Sequence, residues 1–317
     1  MGTEQQQGAS TVDAEPPVVV LLGATATGKS SLAVDLACQM SASGHPAEVV
    51  NADSMLVYRG MDIGTAKPTM EERRGIPHHL IDIMDICEPA SVALFQNLAR
   101  AAIADCQTRG VTPIVVGGSA LYLHAIIDHF DFPPTDESLR ARLTSDMENL
   151  GTEVMYDRLR TLDPEAASGI EPNNSRRIIR ALESIELTGS FKSTLPAWTY
   201  ALDHVIQIGL DITRPDMDRR IETRVDHMWH QGFVEEVRVL LDKGLRDAPT
   251  ASRAIGYRQI IDYLDDQTTE QQAKDLTMVK TRQFSRKQLS WWRRDPRVHW
   301  IPFSSGVETV SSLINVQ

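Results

Sequence analysis

The sequence is poor in cysteine: its 317 residues include three, Cys38, Cys87 and Cys106, which lie far apart. Because no C-x-x-C pair is present, the signature of a zinc site is missing, and isolated thiols are typical of proteins of the reducing cytoplasm. An apolar run of the roughly 20 residues that a membrane helix needs is missing as well. These absences predict a cytoplasmic protein without a membrane segment.

The chain also has no excess of positive charge. Lys and Arg number 32 against 43 Asp and Glu, which gives a net charge of −11 and argues against general nucleic-acid binding. Two local groups differ from this average. Residues 280–297 contain seven cations and a single acid, and Arg176, Arg177 and Arg180 form a second group. For each group, a solvated helix face and a local contact with a phosphate backbone are both compatible with the pattern.

The order of apolar patterns predicts an α/β protein with a helical insertion. Residues 1–17 have neither the cationic start nor the apolar core of a signal peptide, and their polar composition predicts a disordered tail. Apolar strands alternate with helical patterns on both sides of a stretch, residues 131–199, that has helical periodicity only. We therefore expect an α/β core formed by residues 18–130 and 200–317, with a helical insertion domain between them.

One short stretch carries a specific signature, G-x-x-x-x-G-K-S, between an apolar strand at 18–22 and a helix. In this context the backbone N–H groups of the turn and the positive end of the helix cradle linked phosphates. Lys29 would bring charge to the outer phosphate, and the Ser30 hydroxyl can ligate a phosphate-bound Mg²⁺. The predicted diphosphate site consists of Gly23, Ala24, Thr25, Ala26, Thr27, Gly28, Lys29 and Ser30. The loop alone does not identify the ligand.

Other polar residues are expected at the same edge of the sheet, where ligands bind in doubly wound folds. Asp53 follows the second strand and suits a general base or a water-mediated Mg²⁺ contact, although an Asp here can also cap a turn. Ser119 follows the third strand in a Gly-Gly-Ser turn, which is either a polar contact or a simple turn. Arg220 and Arg224 are one helical turn apart and can grip a diphosphate or pair with nearby acids.

The adjacent His78 and His79 are predicted to be structural. Neighbouring residues on a strand point to opposite faces, and no acid or cysteine lies at a convincing ligand spacing in the sequence. We therefore expect both rings to be hydrogen-bonded within the fold and not to bind a metal.

Together these motifs resemble the tRNA dimethylallyltransferase (isopentenyltransferase) family in its bacterial form. The blocks that carry the resemblance occur in the family's order: Gly23–Ser30, Asp53-Ser54, Tyr58–Pro68, Pro77–Asp82, Gly117–Tyr122, Asn173–Glu183 and Gly256–Gln259. Tyr58–Pro68 is much more specific than the phosphate loop, which many nucleotide enzymes share. The resemblance implies a P-loop NTPase-like core with a mostly parallel sheet flanked by helices, together with the helical insertion.

The resemblance also implies a reaction, in which dimethylallyl diphosphate donates its dimethylallyl group to N6 of adenosine 37 beside the anticodon of tRNA. Asp53 is then the base, Thr27, Lys29 and Ser30 hold the diphosphate with Mg²⁺ on Ser30, and Arg177 and Arg224 bind diphosphate or substrate. The positions expected to contact the anticodon stem-loop of tRNA are Asp53, Ser54, Met55, Leu56, Ser119, Arg140, Arg176, Arg177, Ile178, Ile179, Arg180, Arg253, Gly256, Tyr257 and Arg258. We expect a monomer.

Two departures from the family pattern affect these expectations. Leu56 stands where the family often has Gln, so no side-chain hydrogen bond is assigned there, and Ser119 replaces a frequent Thr but keeps the hydroxyl. The rival functions are a small-molecule kinase that uses ATP and a nucleotide-driven switch. Against a switch, the sequence has no guanine-reading Asn-Lys-x-Asp, and its third strand ends in Gly-Gly instead of an acid.

Overall fold

The computed structural model describes residues 15–194 and 196–315. Most of the predicted tail, residues 1–14, lies outside this range. Residues 15–17, the end of the predicted tail, are within the described range. The Pro16 carbonyl accepts a hydrogen bond of 2.9 Å from Gln107 Nε2. The chain divides into two compact units, His129–Thr199 and the residues on either side of it. The predicted insertion, residues 131–199, starts two residues inside the observed unit and ends with it.

The first unit is built on a six-stranded sheet with the order β3-β2-β4-β1-β5-β6. Each of its five strand pairings is parallel, which confirms the predicted architecture. The strands are β1 (Val18–Gly23), β2 (Ala47–Asn51), β3 (His78–His79), β4 (Thr112–Gly117), β5 (Val205–Asp211) and β6 (His299–Pro302). β1 and β4 are buried along their whole length, as expected for continuous apolar runs in a parallel sheet.

Helices account for most of the remaining described residues. In chain order they are α1 (Lys29–Ala42), α2 (Met70–Arg73), α3 (Val92–Thr108), α4 (Ala120–Ile127), α5 (Glu137–Leu150), α6 (Thr152–Leu162), α7 (Pro164–Ser168), α8 (Ser175–Thr188), α9 (Arg214–His230), α10 (Phe233–Leu241), α11 (Tyr257–Leu264), α12 (Glu270–Trp292) and α13 (Val307–Asn315). Within the described ranges, none is both long enough and apolar enough to cross a membrane.

The sheet is covered on both faces because alternate strand residues point in opposite directions. Val18, Val20 and Leu22 of β1 belong to the larger core cluster, which they share with α3, α4, α10, α11 and the end of α12. Val19 and Leu21 belong to a second cluster, formed with α1 and α13. This two-sided burial fixes the strand ends, and hence the loops that follow them.

The second unit consists of α5, α6, α7 and α8 around a small apolar core of its own. Leu143, Leu159, Ile178 and Leu182 are completely buried in it. α8 presents Ile178, Ala181, Leu182 and Ile185 at spacings of three and four residues, which place one apolar stripe along the helix.

Candidate active site

The phosphate loop joins β1 to α1 at the carboxyl edge of the sheet. Gly28 is the residue before α1 and has a φ of +93°, a left-handed conformation that a glycine adopts without strain. Ala26 also has a positive φ, of +66°. The tight turn brings the loop's residues to the start of α1, where the first N–H groups of the helix have no intrahelical partners. The backbone thus has the form of an anion cradle.

Lys29 lies in this cradle without a carboxylate partner in the described part of the chain. Its Nζ donates to the Ala24 carbonyl at 2.6 Å and approaches Thr27 Oγ1 at 3.4 Å. Thr27 is buried, and its hydroxyl donates to the same Ala24 carbonyl. The pKa of Lys29 is lowered to about 7, mainly by burial and also by the nearby charge of Arg224, while Asp53 acts in the opposite direction. An anion bound here would therefore restore the charge of the lysine.

Asp53 follows β2 and is held by a local hydrogen-bond network. Its backbone N–H donates to Asn51 Oδ1 at 2.8 Å, and its Oδ1 accepts from the Met55 N–H at 2.9 Å. The structural interpretation, a carboxylate that caps a turn, is therefore correct for one oxygen. Oδ2 has no hydrogen-bond partner among the described residues. The turn fixes the carboxylate and leaves one oxygen available for chemistry.

Arg224 and Arg220 reach the same edge from α9, which begins after the N-cap Thr213 with Pro215 in its first turn. Arg224 is half-buried and donates to the Thr65 carbonyl at 3.2 Å. Arg220 donates from Nε to the Ala26 carbonyl at 2.5 Å, with its guanidinium over the ring of Phe303. The two arginines are thus both engaged by backbone carbonyls, and Arg220 supports the phosphate loop itself.

Two cavities meet at Asp53 and Arg224, and both residues line each of them. The smaller one, of about 80 Å³ and here called the polar cavity, is also lined by Lys29, Ser30 and Gln288. The larger one, of about 310 Å³ and here called the apolar cavity, has an apolar lining that includes Met55, Val225, Met228, Phe233, Tyr257 and Phe284. The arrangement suits a ligand with an anionic end and an apolar end.

Several residues predicted to contact tRNA lie around these cavities. Ser54, Ser119 and Arg253 line the apolar cavity, and Leu56 lines the polar one. The Ser119 hydroxyl makes no capping bond to α4, and Arg253 is exposed. Arg258 is also exposed and pairs with Asp262 at 3.1 Å.

Gly256 and Tyr257 do not match the predicted role of a surface contact, because both are buried. The Tyr257 ring is completely inaccessible, and its hydroxyl donates to Glu236 at 2.6 Å. A Cβ on Gly256 would lie 2.6 Å from the Phe233 ring. Tyr257 lines the apolar cavity and Gly256 packs against Phe233, so their predicted contact with RNA is not one at the protein surface and otherwise stays a prediction.

Three of the four arginines predicted on the second unit have partners there. Arg140 and Arg180 both donate to Glu183, a carboxylate with no exposed surface, at 2.8 Å. Arg177 donates to the Ser193 carbonyl. Its predicted contacts with diphosphate and with tRNA stay predictions. Arg176 is exposed.

The two isoleucines of α8 differ in what they offer to RNA. Ile178 is wholly buried in the core of the unit, so its predicted contact with RNA is corrected to a packing role. Ile179 is partly buried against the same core.

A cluster far from the phosphate loop in the sequence, Glu48, His79 and Cys106, has the residue types of a metal site, with its ligating atoms within 4.8 Å of one another. The hydrogen bond between His79 Nε2 and Glu48, 2.7 Å long, fits the predicted structural role. The reason from sequence spacing was wrong, however, since folding does bring an acid and a cysteine to the histidine. Arg109 donates to both oxygens of Glu48 at 2.8 Å and lowers the pKa of that carboxyl to about 2. A guanidinium thus already neutralises the carboxylate, and we interpret the cluster as an ion-pair network.

Gln288 was missed by the sequence patterns. Its Oε1 accepts from the Thr25 N–H at 3.0 Å, which ties the phosphate loop to α12, and it lines the polar cavity. Its only signal in the sequence is its place within the cationic stretch 280–297, which does not single out a Gln.

Comparison with known proteins agrees with this geometry. Residues 56–295 match the family model described as IPP transferase. Two relatives named tRNA dimethylallyltransferase are each 52% identical to this chain. The one from Cutibacterium acnes aligns over 284 residues, 90% of this chain and 89% of its own. The one from Thermobifida fusca aligns over 294 residues, 91% and 90%.

Solved structures give the same result. The full-length tRNA isopentenylpyrophosphate transferase from Bacillus halodurans has a TM-score of 0.68 at 39% identity and covers 95% of both chains. A eukaryotic dimethylallyltransferase described as acting on tRNA has a TM-score of 0.74 at 26% identity, over 92% of this chain and 74% of its own. The chain therefore belongs to the IPP transferase family, that of the tRNA dimethylallyltransferases.

Proposed function

We propose that this protein transfers the dimethylallyl group of dimethylallyl diphosphate to N6 of adenosine 37 in tRNA and releases diphosphate. The observation that carries the proposal is the junction of the two cavities. A cationic polar cavity and an apolar cavity share Asp53 and Arg224, so one ligand can place its diphosphate in the first and its five-carbon group at the second. The carbon that reacts would then lie beside the carboxylate.

The polar cavity supplies what the leaving group needs. When the bond between C1 of the dimethylallyl group and the diphosphate oxygen breaks, the electron pair goes to that oxygen, and negative charge grows there. Lys29, Arg224 and the N–H groups of the phosphate loop are placed to stabilise this charge. Because their partners are neutral carbonyls, they can exchange those hydrogen bonds for stronger ones to an anion.

We also propose that Mg²⁺ assists at this edge. Ser30 Oγ and Asp53, the latter through water, are hard oxygen donors of the kind that Mg²⁺ prefers, and both line the polar cavity. The bound ion would supply further neutralisation of the diphosphate.

Asp53 is the proposed base. The amine of adenine is a weak nucleophile, and its attack on C1 leaves a proton that must be removed. Met55 N–H holds Oδ1, so Oδ2 is the oxygen that would accept the proton. The orientation of the carboxylate is set before substrate arrives, which lowers the reorganisation needed in the transition state.

The adenine must leave its stack to reach this carboxylate, which implies a flipped base. Phe284 lines the apolar cavity and is exposed, so it provides aromatic surface near Asp53. The exposed Arg176, Arg253 and Arg258 are proposed contacts to the anticodon stem-loop. We further propose that the enzyme is a cytoplasmic monomer, as light scattering of the purified protein and fractionation of cells would test.

The deciding experiment uses radiolabelled dimethylallyl diphosphate and unmodified tRNA. The wild-type protein should transfer label to RNA, whereas Asp53→Asn should lose almost all turnover and keep its affinity for tRNA. Asp85→Asn is the matched control, because Asp85 is exposed and, among the described residues, its carboxylate pairs only with Arg59. Unchanged turnover in Asp53→Asn would remove this residue from the mechanism, and release of ADP from ATP without RNA would favour the kinase instead.

A further inference from the structure

Glu236, near the start of α10, accepts four hydrogen bonds on one carboxylate. Its Oε2 accepts from the N–H groups of Asp62 at 2.9 Å and Ile63 at 2.6 Å. Its Oε1 accepts from the Gly64 N–H at 3.1 Å and from the Tyr257 hydroxyl at 2.6 Å. Three successive backbone amides thus point at a single anion, an arrangement that binds anions strongly. The carboxylate holds an otherwise irregular loop against α10 and α11.

The loop held by Glu236 continues directly into the site. Thr65, the next residue after the three amides, lines both the polar and the apolar cavity. Its carbonyl accepts the hydrogen bond from Arg224 Nη2, and its hydroxyl donates to the Met61 carbonyl at 2.6 Å. The direction of the Arg224 guanidinium therefore depends on where this loop lies.

The loop has little freedom to take another position. A Cβ on Gly64 would lie 2.2 Å from the Phe233 ring and 2.6 Å from Tyr257, so the backbone is pressed against the wall of the apolar cavity. At its far end Lys67, which is buried, donates to the Tyr58 carbonyl at 2.8 Å and to Asp62 at 2.6 Å. Lys67 fixes the ends of the segment, and Glu236 fixes its middle.

We propose that Glu236 is a positioning residue for prenyl transfer, which acts through the loop Asp62–Thr65 to direct Arg224 at the diphosphate. Glu236 itself lines neither the polar nor the apolar cavity. The proposal deepens the proposed function, on which its turnover readout rests, and its binding readout does not depend on which group is transferred.

The first test is Glu236→Gln, with Glu235→Gln as the matched control. The amide presents NH₂ to donors that need an acceptor. Glu235, by contrast, is exposed, and within the described ranges its carboxylate pairs with Arg238 alone. Because displacement of a catalytic group by about 1 Å costs on the order of 100-fold, we expect kcat to fall by roughly 10- to 100-fold in Glu236→Gln. The KM for tRNA should stay within about twofold, as should both constants in Glu235→Gln. Wild-type kcat in Glu236→Gln would overturn the proposal.

The second test asks whether Glu236 works through Arg224. Two changes that act on one group give a double variant no worse than the more damaging single one, whereas independent changes add. We therefore expect Glu236→Gln combined with Arg224→Ala to be as slow as Arg224→Ala alone. Multiplied losses would show that Glu236 acts by another route, such as general stability.

The third test does not depend on turnover. Inorganic pyrophosphate should bind Glu236→Gln about tenfold more weakly than the wild type, the equivalent of losing one charge-assisted contact. Hydrogen exchange at the amides of residues 62–64 should become faster in the same variant. If Glu236→Gln unfolds the protein, the same two measurements are made on Glu236→Asp, which keeps the charge on a shorter side chain. Faster exchange with unchanged pyrophosphate affinity in either variant would overturn the positioning role. Failure of the wild type to modify tRNA, with these binding results intact, would reject only the proposed function.

Discussion

Cations gather in two regions of this protein, and the two regions hold them differently. At the carboxyl edge of the sheet, Lys29 and Arg224 donate to the carbonyls of Ala24 and Thr65. In the helical unit, Arg140 and Arg180 donate to the buried carboxylate of Glu183. A carbonyl has only a partial charge and leaves the cation available to an anion, whereas a carboxylate neutralises it. These four cations therefore differ in how available they are to an anion. A carbonyl partner does not by itself identify a binding residue, since Arg177 and Arg220 also donate to carbonyls, those of Ser193 and Ala26.

The largest expected effect separates Arg224 from Arg140 in turnover. Arg224→Ala removes a charge aimed at the leaving group, so kcat should fall on the order of 100- to 1,000-fold. Arg140→Ala, at saturating tRNA, should keep kcat within about tenfold of the wild type and should lower stability instead. The measurement is single-turnover transfer of label together with a urea unfolding curve for each variant. Equal losses of kcat in the two variants would show that Arg224 and Arg140 do not differ in their contribution to turnover.

The next effect is on stability. Burial opposes ionisation of Glu183, but hydrogen bonds from Arg140 and Arg180 outweigh it and lower the pKa of the carboxyl. Changing both arginines to Met would leave a buried charge almost unpartnered, and we expect a loss of about 3–5 kcal/mol in the unfolding free energy of the helical unit. Hydrogen exchange of peptides from α5 and α8 measures this loss. In the wild type the stabilisation is present above the usual pKa of Glu and is lost as pH falls through the lowered one.

A smaller effect concerns pH and Lys29. Its pKa of about 7 lies below the usual value, so the free cradle loses its lysine charge as pH rises above 7. Because an anion favours the charged lysine, pyrophosphate binding should take up a proton and weaken by up to about tenfold per pH unit above 7. Calorimetry in buffers of different ionisation enthalpy measures the uptake. The same titration of Lys29→Gln measures the proton uptake that comes from pyrophosphate itself, which is subtracted. If the full uptake persists in this variant, a group other than Lys29 takes up the proton.

The smallest effect is expected for Arg176, which is exposed. If it contacts a phosphate, Arg176→Ala should weaken tRNA binding by a few-fold and reduce the slope of log K against log salt by about 0.7–0.9. Arg160→Ala, in the same unit, is the control, because Arg160 pairs with Asp157 on the surface. An unchanged salt slope would leave Arg176 outside the RNA contact.

Much of the fold could be predicted because its signals are local. The apolar runs of β1 and β4, the glycines of the phosphate loop and the periodicity of α8 each determine structure within a few residues. Asp53 and Lys29 could be placed at one edge because parallel strands end together. Ile178 could not be separated from its neighbours in the same way, since a family motif does not say which residues of a helix face its core.

Contacts between distant segments account for what the sequence did not predict. Gln288 meets Thr25 across 263 positions, and Glu236 meets Ile63 across 173. No sequence pattern around a Gln in a basic stretch, or around a Glu on a helix, predicts such distant partners. The same holds for Glu48, His79 and Cys106, whose spacing in the sequence does not indicate that they are neighbours in the fold. Sequence patterns therefore indicate which groups do the chemistry better than which groups hold them in place.

The strand order also bears on how the protein is made. β1, which carries the phosphate loop, pairs on one side with β4 and on the other with β5, almost 190 positions later. A ribosome must therefore synthesise the whole helical unit before β1 gains its second neighbour, and Arg224 and Glu236 emerge later still. The nascent chain carries a half-open sheet with apolar strands during this interval, when chaperones can bind it. Truncated products that end before residue 205 should accordingly aggregate, because they contain β1 and the phosphate loop but lack β5, the second neighbour of β1.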